Sequence, residues 1–595
     1  MKRFIIFASL VISSIFYITS QEALKSVEED YYDFLSLTGV VKRPTLGYRT
    51  LSDNVWEFNN LESFEENDDG TFTKVITPGS ESDSNIWKKN NLGTKYTLFE
   101  NPYPVNNFLT RGIKQKAEGR LYGIEWFNSW NTEVPFGQND GALWQGKGYN
   151  TSFTTGFRIE GYGFEITFKP QISWSQNQEF PINTNVYPNP YSYSFSNGVY
   201  VGHPIDYVQR YGNESLWKFD FGDSEIRWTW HTLTFGAGTQ NPWLGPAFLN
   251  PMLGSNNAPG YLKLDAGLRK TEVFLPFSKI SLGNIEGRIW VGQLVESDYF
   301  DDIPWNDKRL VAGLSASYSP SFIPGLSIGL NRVFMTYWRK ENLKYIKRLF
   351  TLSRSNALAS SGNDEDQKFS LFAEWNFPKI GFTVYGEFGR DDFSNDEKSN
   401  PFHTAIYTVG AKQVIPLPLA KIFTKLPEVF NLTSELNFEW NNFEMSQDFQ
   451  MQWTYMGYYA HGFITQGYTN RGQILGAGSG FAGNSQMLQY KVYHPKGFIS
   501  YRFHRYCPNN NSVYSQSVYT AANPENHLDN AVYQQWYPNF ETYISNSFEL
   551  SFYLFKDFYA SFNFAIIKLT HKNYEPSIGV VDKSYHGGFT VKYNF

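Results

Sequence analysis

The chain has 595 residues, a formal net charge of −6 and a mean hydropathy of −0.42, yet its 52 Phe, 40 Tyr and 17 Trp make it 18% aromatic. A net charge of this size and sign argues against nucleic-acid binding, and the body of the chain lacks the run of about 18 apolar residues that a membrane-spanning helix needs. The single cysteine, Cys507, cannot close an internal disulfide, so stability has to come from hydrogen bonding and burial.

The first segment, "MKRFIIFASLVISSIFYITSQ", carries Lys2 and Arg3, an apolar stretch from Phe4 to Tyr17, and the small polar residues Thr19 and Ser20. This layout predicts a secretory signal over residues 1–20, cleaved near Ser20 and Gln21. No cysteine follows it, so a lipid anchor is not expected. Over residues 22–38, Leu24, Val27, Tyr31, Phe34 and Leu35 fall at helical spacing and predict a short amphipathic helix ending before Gly39. From about 40 to 115 the pattern weakens, and the acidic stretches "EENDDG" and "ESDSN" read as solvated loops rather than cation sites. The expected division is therefore a helical and irregular region over 21–116, followed by a β-domain over 117–595.

Beyond residue 117 the hydrophobic period becomes two, as in "NIEGRIWVGQLVES", "RLVAGLSASYS", "GLSIGLNRVFMTYW", "KFSLFAEWNF", "GFTVYGEFG" and "DFYASFNFAII". Short polar breaks at 321–325, 376–381 and 554–558 alternate with long polar stretches at 340–367, 391–402 and 507–540. Tight turns alternating with long loops predict an outer-membrane antiparallel β-barrel. Lipid offers no partner to backbone N–H and C=O groups, so a sheet crossing it must close on itself. Its strands are then apolar outward, polar inward and belted by aromatic rings, which explains a chain both aromatic-rich and hydrophilic. The rhythm has one mismatch: counted back from the C-terminus, the "EGYG" turn at 160–163 falls at the wrong end unless 176–236 or 445–500 hides a further crossing. The alternative fold, a soluble β-sandwich array or propeller, lacks the internal repeat of about 40 to 50 residues that it requires.

The last residues, "GFTVKYNF", put Phe589, Val591, Tyr593 and Phe595 on one face of a strand. They predict a closing strand that is also the signal read by the barrel-insertion machinery.

Four stretches break the alternation with dense glycine and polar content: "VPFGQNDGALWQGKGYN" (134–150), "GTQNPWLGPAFLNPMLGSNNAPGY" (238–261), "GQLVESDYF" (292–300) and "GYYAHGFITQGYTNRGQILGAGSGFAGNSQ" (457–486). With these and the early "YYDFLSLTGV...GYRTLSDN", the chain resembles the capsule-assembly Wzi family of outer-membrane proteins over nearly its whole mature length. The resemblance implies a monomeric barrel of about eighteen strands, with a small N-terminal helical plug closing the periplasmic side. It implies a lectin that holds capsular polysaccharide at the cell surface and helps its attachment, with no catalytic step and no cofactor. The sequence departs from many members at "NPWLGPAFLN", where they carry a second Trp and a basic run.

The residue types support sugar binding independently, because aromatic rings sit under the C–H faces of sugars while amide, carboxylate and guanidinium groups pair with hydroxyls. Asn139, Asp140, Trp144 and Gln145 supply that mixture, as do Asn241, Trp243, Asn256 and Asn257, and Gln466, Tyr468, Asn470 and Arg471. Glu296 is a further candidate contact. The competing reading for each is a polar cross-link within a barrel wall. The nine His residues show no metal-ligand spacing, and "GAGSGFAG" at 476–483 lacks the lysine and βαβ setting of a phosphate loop. Glu296 and Asp298, one residue apart, carry no mark of a glycosidase acid and partner, so no enzymatic activity is expected. The alternative function is a passive pore or oligosaccharide transporter.

Overall fold

The computed structural model describes residues 26–593 apart from 60, 67–71, 78–94, 109, 183–188, 194–204, 351–364, 392–401, 423–430, 447–456, 511–540, 556 and 571–579. The predicted signal and Phe595 lie outside the described residues.

Eighteen antiparallel strands close into a barrel. They are β1 (Lys116–Asn131), β2 (Gly148–Gly161), β3 (Phe164–Phe168 continued by Gln171–Ser175), β4 (Leu216–Asp220 continued by Glu225–Trp230), β5 (Leu233–Gly238), β6 (Lys263–Phe274), β7 (Ser281–Val295), β8 (Lys308–Pro320) and β9 (Leu326–Tyr337). The circuit continues through β10 (Glu365–Phe377), β11 (Phe382–Asp391), β12 (Ala405–Pro418), β13 (Asn431–Asn442), β14 (Asn484–His494), β15 (Gly497–Cys507), β16 (Thr542–Phe555), β17 (Phe558–Thr570) and β18 (Val580–Tyr593). Each strand pairs with its sequence neighbour, and β18 closes on β1 in the register Phe589↔Asn128, Val591↔Trp126 and Tyr593↔Ile124. An additional strand, Lys95–Glu100, pairs with the lower part of β1.

The mismatch at 160–163 is resolved by three crossings, β4, β5 and β6, between residues 176 and 280. β4 is interrupted and β5 spans six residues, and Arg227 in "SEIRWTWHTLTFGAG" points inward, buried between Glu225 and Asp265 of β6, which blurs the alternation. The 160–163 turn is a two-residue hairpin with Tyr162 at φ 55° and Gly163 at φ 81°, the left-handed pair that a tight hairpin demands. One barrel end carries such tight turns, with one longer link at 419–430 between β12 and β13, and the other carries the long connections, so the tight-turn end faces the periplasm and the loop end faces outward. The outer wall shows the expected apolar band, with Ile289, Leu371, Val409, Phe438, Leu488, Phe548 and Phe562 all exposed on the protein surface. No described helix is long and apolar enough to span a membrane.

The N-terminal region enters the periplasmic half. Helix α1 (Val27–Leu37) starts at Ser26, whose hydroxyl accepts from the Glu29 N–H, and its aromatic side packs Tyr31, Phe34 and Leu35 against Tyr493 and Phe498 of the wall. Its acids meet wall cations: Glu28 with Lys592 (3.0 Å), Asp30 with Lys491 (3.3 Å), and Asp33 with Lys412 and with Arg43 (2.6 Å). Arg43 and Lys412 hold the Asp33 carboxyl well below the usual range despite its burial. Farther on, Asp53 bridges Arg269 and Arg288, and Tyr48–Arg49 pairs with Trp243–Leu244 of an inward-folded loop.

The polar-inward expectation fails in one sector. Trp290, Val311, Val333, Met335 and Ile406 point into the barrel from β7, β8, β9 and β12 and are buried. They face the inward-folded segments 239–262, 443–446 and 457–483, of which Leu244, Met252, Tyr458, Tyr459 and Ile464 complete the same core, and not water. Carboxylates of the wall fasten these segments. Glu439 accepts the N–H groups of Phe248, Leu249 and Asn250 (2.5, 3.1 and 2.8 Å), and Glu286 those of Leu46, Gly47 and Tyr48 (2.8, 3.0 and 2.7 Å).

Candidate functional site

The long-loop end holds a cleft of about 80 Å³ formed by the loop between β1 and β2, the segment 207–209, and the tops of β15 and β16. Asn139, Asp140, Trp144, Gln145 and Asn257, all predicted from sequence, line it together. Asn139 sits at φ 60°, a conformation asparagine tolerates, and its amide donates to the Leu249 carbonyl (3.1 Å), tying this loop to an inward-folded one. Its Oδ1 is buried without a partner. Burial pushes the Asp140 carboxyl up to about 7, against the lowering effect of the Gln145 amide. Gln145 accepts from Ser129 Oγ (2.8 Å), so its side chain is oriented from the barrel wall.

Trp144 is half-buried and held by its edge, the indole N–H donating to Asn177 Oδ1 (3.1 Å). It begins a row of edge-to-face aromatic contacts: Trp144 to Tyr211 at 5.2 Å, Tyr211 to Tyr299 at 5.6 Å, and Tyr299 to Tyr191 at 5.7 Å. Lys218 Nζ lies 4.0 Å from the Tyr211 ring centroid, a cation–π contact that stiffens the row. Across the cleft Tyr506 and Tyr543 stack in parallel at 4.6 Å. Rigid rings beside amides and a carboxyl suit the apolar faces and hydroxyl edges of a sugar.

The other predicted residues are engaged in packing. Trp243 is wholly buried, donates to the Ala247 carbonyl (2.9 Å) and faces Arg49 at 5.7 Å, so its ring offers no stacking face to a ligand. Asn241 donates to the Ala258 carbonyl (2.8 Å), the Asn256 carbonyl accepts from Gly141 (2.7 Å), and Tyr468 donates to the Leu253 carbonyl (2.8 Å). Gln466 donates to Glu296 and to the Asn306 carbonyl (3.3 Å), and Asn470 to the Pro259 carbonyl (3.0 Å). Burial, with Asp301 and Asp206 near, raises the Glu296 carboxyl to about 8 while the Gln466 bond opposes it. That carboxyl is a bolt between loops, with Asp206 beside it taking the N–H groups of Ser297 (2.9 Å) and Gly472 (3.2 Å). Arg471 is exposed, adjoining the cleft residues Gly472 and Gln473 at φ 50°.

Gln138, Tyr207, Gln209, Gln473, Tyr506 and Tyr543 also line the cleft and were not singled out from sequence. Gln138 and Gln473 adjoin the predicted motifs. Tyr506 and Tyr543 sit at strand ends, where a tyrosine is indistinguishable by pattern from a member of the aromatic belt. Among the described residues no group of His, Cys, Asp and Glu could hold a metal ion.

No protein-family model and no curated protein matches the chain. Among solved structures it is similar to Wzi, an outer membrane protein involved in group 1 capsule assembly in Escherichia coli and described as a carbohydrate binding beta-barrel: 11% identity and a TM-score of 0.48, covering 79% of this chain and 84% of that one. It is also similar to OprB of Pseudomonas putida (11% identity, TM-score 0.34, covering 80% and 94%) and to OccAB2 of Acinetobacter baumannii (10% identity, TM-score 0.35, covering 79% and 97%). The barrel of this chain rests on its own closed strand register.

Proposed function

We propose that the protein is a non-enzymatic outer-membrane lectin of the Wzi type, which holds capsular or other surface polysaccharide at the cell surface and aids its attachment. The observation that carries this reading is the outward cleft, where Trp144, Tyr506 and Tyr543 stand among Asn139, Asp140, Gln145 and Asn257 over a barrel occupied by its own loops. A fixed ring and converging amides recognise pyranose units without any reacting group. Trp144→Ala tests it: a folded, heat-modifiable barrel should shed polysaccharide into the medium, whereas parent-level retention would refute the site.

The pore reading draws support from the chambers of about 160 and 340 Å³ beside β14–β18 and β1–β3 and from one of about 430 Å³ beside β6–β7. The plugged periplasmic half weighs against it, and planar-bilayer recording separates the two, since a steady open conductance contradicts a plugged lectin. We read the terminal strand, with Phe589, Val591 and Tyr593 on its outer face, as the segment the insertion machinery recognises. Phe595→Asp should then leave precursor in the periplasm.

A further inference from the structure

Part of the outer wall is covered by the chain itself. Val291 of β7, Ala312 of β8, Phe334 of β9 and Gln367 of β10 fall in one transverse row of the strand register. Their neighbours Trp290, Val311, Val333 and Met335 point into the barrel, so this row points outward, where a side chain ordinarily meets lipid. Ala312 and Phe334 are nevertheless wholly buried.

The cover is the 3₁₀-helical segment Lys340–Phe350, which follows the outward end of β9 and folds back over the outside of β8 and β9. Three residues per turn set Ile346 and Leu349 in one row, packed with Ala312 and Phe334, and Lys344, Lys347 and Phe350 in the next, which is exposed. Asn342 fastens one end by donating to Thr336 Oγ1 (3.1 Å) and to the Tyr337 carbonyl (3.0 Å). Arg332, two residues before Phe334 and on the same outer face, donates to the Leu349 carbonyl at the other end (3.4 Å).

The segment is strongly basic: "WRKENLKYIKRLF" (338–350) holds five Lys and Arg against Glu341 alone. Lys340 and Lys347 are exposed and, with the exposed Lys308 at the head of β8, form no ion pair among the described residues. Trp338, Leu343 and Phe350 stand exposed among these cations. Ile289, the next outward residue below Val291 on β7, already belongs to the exposed apolar band. The segment therefore sits at the upper margin of that band, where acyl chains give way to headgroups. Unpaired lysines and exposed apolar side chains together at this level match an amphiphile with an anionic head. A soluble anion would leave the apolar side chains unused, and an uncharged lipid would leave the lysines unused.

We propose that the segment 338–350 with Lys308 is a binding site for a phosphorylated lipid of the outer leaflet, whose phosphates pair with the lysines while its acyl chains lie on the band below. This site is on the outside of the barrel and is independent of the cleft reading.

The test titrates the full-length protein, in nonionic detergent micelles, with bisphosphorylated lipid A and with the same lipid after removal of its phosphates, and reads binding by native mass spectrometry. The phosphorylated form should bind about tenfold or more tightly than the other, and added salt should weaken it. The double substitution Lys340→Gln and Lys347→Gln, at exposed positions, should lower that affinity about thirtyfold, with the folded band in SDS at its parent position. Equal affinity for the two lipids, or parent-level lipid A affinity in the folded double variant, would overturn the proposal. So would loss of surface-polysaccharide binding in that variant at unchanged lipid binding, which would make the segment a contact for the polymer instead.

Discussion

The two sides of the barrel interior solve the same problem in opposite ways. Against β7–β13 the wall turns Trp290, Val311, Val333 and Met335 inward, and segments 239–262, 443–446 and 457–483 fill the space to form one apolar core. Against β14–β18 the inward side chains are polar, Gln489, Ser500, Arg502, Ser545, Ser547 and Ser561 among them, and chambers remain, as does a space of about 430 Å³ between residues 42–57 and β6–β7. The packed side resembles a soluble protein turned inside a membrane wall, with carboxylates doing what a neighbouring strand would do for loop N–H groups. Unpaired buried polar atoms occur on both sides, Trp290 Nε1 and Arg309 Nε beside the apolar core and Gln489 Oε1 and His504 Nε2 beside the chambers. On the proposed function, substitutions at the cleft should change binding and substitutions in the apolar core should change stability, each with little effect on the other.

The largest expected effect is on the packed side. Trp243→Ala removes a wholly buried indole and should cost about 3–5 kcal/mol, read as a lower temperature for the shift from the folded to the unfolded band in SDS, with sugar affinity changed only through the folded fraction. Specific loss of affinity at unchanged stability would break the comparison. Glu439→Ala should follow at about 3 kcal/mol, because three backbone N–H groups lose their charged acceptor at once; limited proteolysis should then cut within 239–262 before any other described loop. At the cleft, Trp144→Ala should leave the melting shift near that of the parent and reduce affinity about ten- to a hundredfold by calorimetry.

The smallest effect sharpens the comparison by pH. Burial raises the Asp140 carboxyl to about 7, above its ordinary value of about 4. Between those values the unfolded chain has lost its proton while the folded loop retains it, so stability falls as pH rises and the loss is complete above about 7. Asp140→Asn should therefore show a shallower decline in folded-band stability between pH 5 and pH 8 than the parent. An equal decline in both proteins would show that Asp140 does not set this dependence.

Strand identity, the tight-turn and long-loop rhythm, and the α1 helix were legible in the sequence because they rest on local periodicity: side chains alternate at every second position in a strand and recur at 3.6 residues in a helix. β4 and β5 escaped because inward Glu225 and Arg227 and the short strand length weaken that alternation. The motif stretches were likewise visible as departures from it. What each departure is for was not visible, since a buried cross-link and a sugar contact use the same Asn, Gln, Glu and Trp. Trp144 and Trp243 stand in equally polar, glycine-rich surroundings, and only the fold places one at a cleft and the other inside a core. Periodicity therefore determined the barrel, because a lipid-facing wall constrains every second residue by itself. The tertiary structure alone decided which sector fills and which stays open, because that depends on contacts between residues hundreds of positions apart, such as Glu439 with Phe248 and Glu286 with Tyr48.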